Sequence, residues 1–217
     1  FLVLGLCVLS ISTFAEGNIK NGETIANAEC LACHGQGGNS ATAMFPKLAG
    51  LGEKYLLKQL LDIKNAGANS DPKKPKRPIA EMTGLLDAKT DQQLKDLAAY
   101  YAAQNIQLSG AKELKVQVNS GDKVDGLKLG ARVYRAGNLE TGVPACTGCH
   151  SPRGLGNAPA GFPRVSGQFA DYIEKQLRAF RAGDRTNDGE TMVMREVAKH
   201  MSDAEIIAVS NFISGLH

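Results

Sequence analysis

Cys30-Leu31-Ala32-Cys33-His34 returns 116 residues later as Cys146-Thr147-Gly148-Cys149-His150. Two thiols one helical turn apart can add to the two vinyl groups of one porphyrin, and the histidine that follows is held under the iron as an axial ligand. One such pentapeptide can be accidental. Two point to a chain with two covalent haem c groups, one through Cys30 and Cys33 and one through Cys146 and Cys149. Three other chemistries use paired cysteines. A structural zinc site wants its pairs about 15–20 residues apart, or a downstream His-x-x-x-His, whereas more than a hundred residues separate Cys33 from Cys146 and the chain has four histidines. A redox dithiol belongs beside a strand–helix–strand pattern, and no strands of that kind are evident. Two disulfides would suit an oxidising compartment but leave the histidine after each pair unexplained.

Outward from the pentapeptides, the surrounding sequence repeats too. Phe45-Pro46-Lys47-Leu48-Ala49-Gly50 matches Phe162-Pro163-Arg164-Val165-Ser166-Gly167. Tyr55-Leu56-Leu57-Lys58-Gln59-Leu60 matches Tyr172-Ile173-Glu174-Lys175-Gln176-Leu177, and Thr90-Asp91-Gln92-Gln93-Leu94 matches Ser202-Asp203-Ala204-Glu205-Ile206. Offsets of 116, 117 and 112 residues need only small changes in loops, so the chain reads as a tandem duplication. Each copy reads as helices joined by Gly/Pro-rich loops. A first helix is expected around 21–32 and 127–137, and a middle one around 53–65 and 169–182. Tyr55, Leu56, Gln59, Leu60 and Ile63 show the one-face spacing of an amphipathic helix. The last helix opens with a capping box in both copies, Thr90 with Gln93 and Ser202 with Glu205. Leu94, Leu97, Ala98 and Tyr101 then line one face, as do Ile206, Val209 and Ile213 in the second copy. The expected organisation is all-α, with helical domains at 16–108 and 126–217. A polar linker at 109–125 is expected between them, with a short extended stretch where Val116 and Val118 alternate with polar residues.

Aromatic content is 6% and Trp is absent, which is thin for two domains of about 90 residues. A buried haem in each would supply the missing apolar mass. Phe1 to Ser12 is an apolar run followed by Thr13-Phe14-Ala15, the pattern of an export signal cleaved after Ala15 and lacking its basic start. Its dozen or so apolar residues fall short of the ~20 that span a bilayer. Cys7 belongs to this discarded run, and the mature protein is expected in the periplasm. Net charge is +3, spread without an aromatic-interleaved patch, so nucleic acid is not an expected partner. The densest basic run is Asp71-Pro72-Lys73-Lys74-Pro75-Lys76-Arg77-Pro78. Such a run reads as a solvated loop, or more sharply as a docking patch for an acidic partner.

The axial position opposite each histidine decides the chemistry, because a Met-filled site differs from an open or His-filled one. The capping boxes give an internal ruler: Met82 lies eight residues before Thr90, and Met194 eight before Ser202. These two are the expected partners of His34 and His150; the alternative is a gap-filling role in the core. Met192 and Met201 have no counterpart at matching positions in the first copy, and Met44, only ten residues after His34, reads as loop or core. His200 precedes the last helix and reads as solvated; as a ligand in place of Met194 it would lower that haem's potential. Pro46 and Pro163 follow the histidines by 12 and 13 residues. Each can hold a carbonyl against the imidazole N–H, or simply stiffen its loop.

Together these residues resemble the bacterial dihaem cytochrome c4 family over essentially the whole chain after Ala15. The most specific pieces are Glu81-Met82-Thr83-Gly84, Pro144-Ala145-Cys146-Thr147-Gly148-Cys149-His150 and Arg185-Thr186-Asn187-Asp188-Gly189. The resemblance implies two class I cytochrome c domains facing each other through a pseudo-twofold axis. It implies iron ligation by His34 with Met82 and His150 with Met194, with the carbonyls of Pro46 and Pro163 as second-shell acceptors. It also implies a periplasmic electron carrier, loosely held at the inner membrane, that feeds a haem–copper terminal oxidase. The basic run at 71–78 is not a general feature of that family. Two alternatives stand beside the carrier: a cytochrome subunit of a larger dehydrogenase or oxidase complex, and a dihaem peroxidase. The peroxidase would need a vacant or displaceable sixth position and a nearby acid/base group.

Overall fold

The computed structural model describes residues 16–68 and 77–217. The expected export signal with Cys7, and Lys73, Lys74 and Lys76 of the basic run, lie outside the described residues. In the first copy α1 (Ile19–Ile25) starts at Asn18, whose side chain accepts from the Asn21 N–H. It continues through a π turn (Ala26–Cys30) into α2 (Leu31–His34). Helix α3 (Glu53–Ala68), a 3-10 turn at Ala80–Met82 and α4 (Asp91–Ala102) follow. A two-stranded antiparallel hairpin, β1 (Lys115–Gln117) and β2 (Lys123–Asp125), pairs Val116 with Val124. The second copy comprises α5 (Gly126–Ala136), α6 (Thr147–His150), α7 (Ala170–Ala182), α8 (Val193–Lys199) and α9 (Asp203–Ser214).

Both capping boxes form. The Thr90 N–H donates to Gln93 Oε1 at 2.9 Å and the Gln93 N–H returns to Thr90 Oγ1 at 3.2 Å. Ser202 and Glu205 repeat the exchange at 2.8 and 3.2 Å. In each copy the last helix packs against the first and the middle helix, α4 against α1 and α3, α9 against α5 and α7. The α1–α4 and α5–α9 crossings are set by glycine. A Cβ on Gly22 would run into the Asp96 carbonyl and lie 2.8 Å from Tyr100 Cβ; one on Gly130 would meet the Ala208 carbonyl and lie 2.8 Å from Phe212 Cβ. Leu94, Leu97, Ala98 and Tyr101 are buried in one core, and Ile206, Val209 and Ile213 in the other, each large aliphatic contributing about 1.5–3 kcal/mol.

Segment 109–125 is bound along the second copy. Ser109 and Gly110 donate backbone N–H groups to Gly167 O and Ser214 O, the Asn211 amide brackets the Lys112 backbone, and Val116 is buried in the second core. The extended stretch expected there is a strand of three residues ending at Gln117, so Val118 lies just beyond it. Helix α8 was not expected; its Val193, Met194, Val197 and Ala198 do carry helical spacing. The Asp188 carboxylate helps to fix its start, accepting from Arg195 N and Nε at 2.8 Å each.

The copies meet along a seam that corrects one expectation. Arg77 is no solvated patch residue: it is 6% exposed. Its Nε donates to Gln59 Oε1 and its Nη2 to the Tyr172 hydroxyl of the other copy, both at 3.0 Å. Arg185, 7% exposed, mirrors it, donating to Gln176 Oε1 at 2.8 Å and to the Tyr55 hydroxyl of the first copy at 3.4 Å. Tyr55 and Tyr172 are matched positions of the repeat, as are Gln59 and Gln176, so the exchange is reciprocal in the way a twofold relation demands. Arg185 also reaches Gln59 Oε1 at 2.9 Å. Burial alone would push the Tyr55 phenol up; Arg185, Arg77 and Lys58 outweigh it and hold the group below its ordinary value. Gln168 completes the seam, its amide pairing with both the N–H and the carbonyl of Lys47.

Two candidate haem sites

Each pentapeptide closes as one helical turn, α2 or α6, and its histidine is the last residue of that turn. The chain then leaves with positive φ: Gly35 at φ 71°, ψ 173°, and Ser151 at φ 68°, ψ 160°. For serine this region is strained, costing of order 1–3 kcal/mol. Two hydrogen bonds hold it: the Tyr134 hydroxyl donates to the Ser151 carbonyl at 2.7 Å, and Ser151 Oγ accepts from the Leu155 N–H at 3.0 Å.

His34 Nδ1 lies 3.0 Å from the Pro46 carbonyl and His150 Nδ1 2.9 Å from that of Pro163. A carbonyl can only accept, so Nδ1 carries the proton and Nε2 keeps a lone pair for a metal. Burial lowers both imidazole pKa values, partly offset by these bonds, so both rings are neutral near pH 7. Phe45 and Phe162, each just before its proline, stand beside the rings at centroid distances of 6.2 and 6.4 Å. None of the four pentapeptide cysteines is paired in a disulfide.

Met82 ends its 3-10 turn and packs on the first core, as do Cys30 and Leu48. Met194, in the first turn of α8, packs on the second core, as do Cys146 and Val165. The other methionines separate from this pattern. Met44 is 75% exposed, Met192 is also exposed, and Met201 is buried in the core at 4%. His200 ends α8 and is exposed, and His217 is exposed at the C-terminus. Sequence reasoning missed the seam residues Arg77, Arg185, Tyr55, Tyr172, Gln59 and Gln176. The available signal was the repeat, which matches the tyrosines and the glutamines pair by pair.

These donors fit haem c. Each copy offers two thiols on one helical turn, an imidazole with Nε2 free and a methionine against the same core. Among the described residues no three His, Cys, Asp or Glu side chains gather as a bare metal site would require. When bound, haem c supplies a reversible one-electron iron couple. The chain contributes the covalent anchors, imidazoles of fixed orientation and an apolar wall.

Comparison with known proteins gives the same assignment for each half and for the whole. The cytochrome c family model matches residues 19–103 and again 127–217. Cytochrome c4 of Azotobacter vinelandii is 48% identical over 216 residues, covering 100% of this chain and 96% of the relative. The crystal structure of reduced recombinant cytochrome c4 from Pseudomonas stutzeri superposes with a TM-score of 0.82 at 48% identity, over 93% of this chain and 100% of that one. More distant is a thiosulfate dehydrogenase electron acceptor of Thiomonas intermedia, 34% identical over 86% of this chain and 78% of its own. The duplicated pentapeptide, the paired imidazole–carbonyl bonds and a match along the whole length therefore have one explanation: the chain belongs to the cytochrome c4 family, as a dihaem electron carrier rather than an enzyme.

Proposed function

We propose that His34 with Met82, and His150 with Met194, are the axial pairs of two six-coordinate haems, and that the protein carries electrons through the periplasm to a terminal oxidase. The observation that carries this reading is the duplicated placement of donors: each imidazole has Nδ1 on a proline carbonyl, and a register-matched methionine packs on the same core as the first cysteine of its pentapeptide. Methionine sulfur in the sixth position favours ferrous iron and raises the potential relative to a bis-histidine site. A filled sixth position also excludes peroxide and keeps reorganisation small. The proposal divides the chain into domains at 16–108 and 126–217, with 109–125 between them, and allows peripheral attachment to the inner membrane.

The ferric optical spectrum tests the ligands. Two methionine-ligated haems give the near-red sulfur-to-iron band at full strength per haem. Half that strength would mean one differently ligated haem and would return the peroxidase to consideration. Reduced protein mixed with a haem–copper oxidase should be oxidised at a rate that rises with its concentration; no turnover with any such oxidase would remove the acceptor from the proposal. The relationship to a thiosulfate dehydrogenase electron acceptor favours one second reading, a carrier that takes electrons directly from a dehydrogenase. Stable co-purification with such an enzyme would place the chain there.

A further inference from the structure

The peptide unit between Pro46 and Lys47 is held on both sides. Its carbonyl, that of Pro46, accepts from His34 Nδ1 at 3.0 Å, and its N–H, that of Lys47, donates to Gln168 Oε1 at 3.0 Å. Both groups lie in one rigid plane, so a single chain of hydrogen bonds runs from an imidazole of the first copy to a side chain of the second. Gln168 Nε2 donates in turn to the Lys47 carbonyl at 2.8 Å, which leaves the amide one orientation. Oε1 also accepts from the Phe169 N–H at 3.0 Å, at the start of α7, so its own element fixes it too. Gln168 and Lys47 are each 4% exposed, and in so dry a place hydrogen bonds polarise one another. The duplication is broken here. Gly50 matches Gly167, so the counterpart of Gln168 is Leu51, which is buried in the first core and has no amide to offer the Pro163–Arg164 peptide.

We propose that Gln168 is a positioning residue through which the second copy sets the proximal side of the first haem. It anchors and polarises the Pro46–Lys47 peptide, strengthens the hydrogen bond from His34, and thereby lowers the reduction potential of that haem. The inference rests on His34 being an axial ligand. The cause is electronic. A peptide whose N–H donates has a carbonyl that accepts more strongly, and a stronger acceptor on Nδ1 leaves the imidazole more basic at Nε2. A more basic ligand favours ferric iron, the form with the greater positive charge. Without Gln168 the peptide loses both its polarisation and its anchor, and the two losses act in the same direction. The coupling runs one way, because at the matched position the first copy offers the second an aliphatic side chain.

The test is a spectroelectrochemical titration of the holoprotein and its Gln168→Met variant, with attached haem counted by mass. The expected result is two attached haems and one of the two reduction steps moved to higher potential while the other stays. In proton NMR of the same variant the His34 Nδ1–H should exchange with solvent faster than in the wild type. Unchanged steps, equal shifts of both, a shift to lower potential or an unchanged His34 proton would overturn the proposal. Lys47 Nζ stands over the Phe169 ring at 4.7 Å from its centroid, so the charge of Lys47 has to be separated from its backbone. For this the comparison is repeated in a Lys47→Met background, where the same shift is expected. Its disappearance would assign the effect to the cation and overturn the proposal. Should Gln168→Met fold poorly, Gln168→Asn, whose amide stops one methylene short of Lys47, takes its place with the same expected shift. A wild type with one attached haem, or with a high-spin ferric haem, would instead overturn the axial reading.

Discussion

The exits from the two pentapeptides adopt nearly the same backbone with different residues. Gly35 and Ser151 differ by only 3° in φ and 13° in ψ, yet their surroundings diverge. A Cβ on Gly35 would run into the Asn39 carbonyl, with its carbon 2.9 Å away. Ser151 already carries a Cβ, and two hydrogen bonds hold it in place. The entrances differ as well. The first copy enters its pentapeptide through a continuous π turn. The second enters through the loop 137–145, where Asn138 and Val143 form a bridge and the Asn138 amide is tied to Glu205 at 2.8 Å. Duplication preserved the haem-facing geometry and let each copy reach it by its own packing.

Breaking the crossing glycines should have the largest effect. Gly22→Ala and Gly130→Ala force helices apart in a packed core, and each should cost about 2–4 kcal/mol, read as a lower denaturant midpoint by circular dichroism. Equal losses would show that the crossings are equivalent despite the different entrances. Next comes the exit: Gly35→Ala should cost about 3 kcal/mol, combining strain with a clash, whereas Ser151→Gly should change stability by under about 1 kcal/mol, because relief of strain offsets the lost Oγ acceptor. A large loss at Ser151 would mean that the hydroxyl, and not the conformation, is what matters there.

The seam offers a finer comparison. Arg77→Met and Arg185→Met each remove a buried guanidinium bonded to both copies, at about 1.5–3 kcal/mol apiece. Arg185 should be the costlier, since it holds Gln59, Gln176, Tyr55 and Asn187. Thr90→Ala and Ser202→Ala should each cost about 1 kcal/mol, with Ser202 the larger because its Glu205 also ties down Asn138. The smallest effect is at Asp203, whose hydrogen bonds from Arg181 and Arg178 hold its carboxyl below the ordinary 3.8. A depressed folded value means that this stabilisation is present above pH ~4 and is lost as pH falls through the folded pKa. The group is exposed and screened, so Asp203→Asn should lower stability by well under 1 kcal/mol at pH 7. The difference from wild type should vanish when both are unfolded near pH 2.

The pentapeptides, the tandem repeat, the capping boxes and the faces of the last helices were legible in the sequence, because each is a local covalent or i, i+3 pattern that needs no knowledge of neighbours. The register of Met82 and Met194 was legible only through the repeat, which turned one copy into a ruler for the other. Helix α8 was obscured by a start that depends on a left-handed Met192 and an Asp188 anchor. What the tertiary structure alone decided lies where separate elements meet. Arg77 reads as one more cation in a basic loop until Tyr172, 95 residues away in the chain, accepts its hydrogen bond. Tyr134 reads as one more core aromatic until its hydroxyl falls on the backbone carbonyl of Ser151. Attachment chemistry is written in adjacent residues because the bonds are local. Charge burial and hydroxyl partners depend on which surfaces the folded chain presses together.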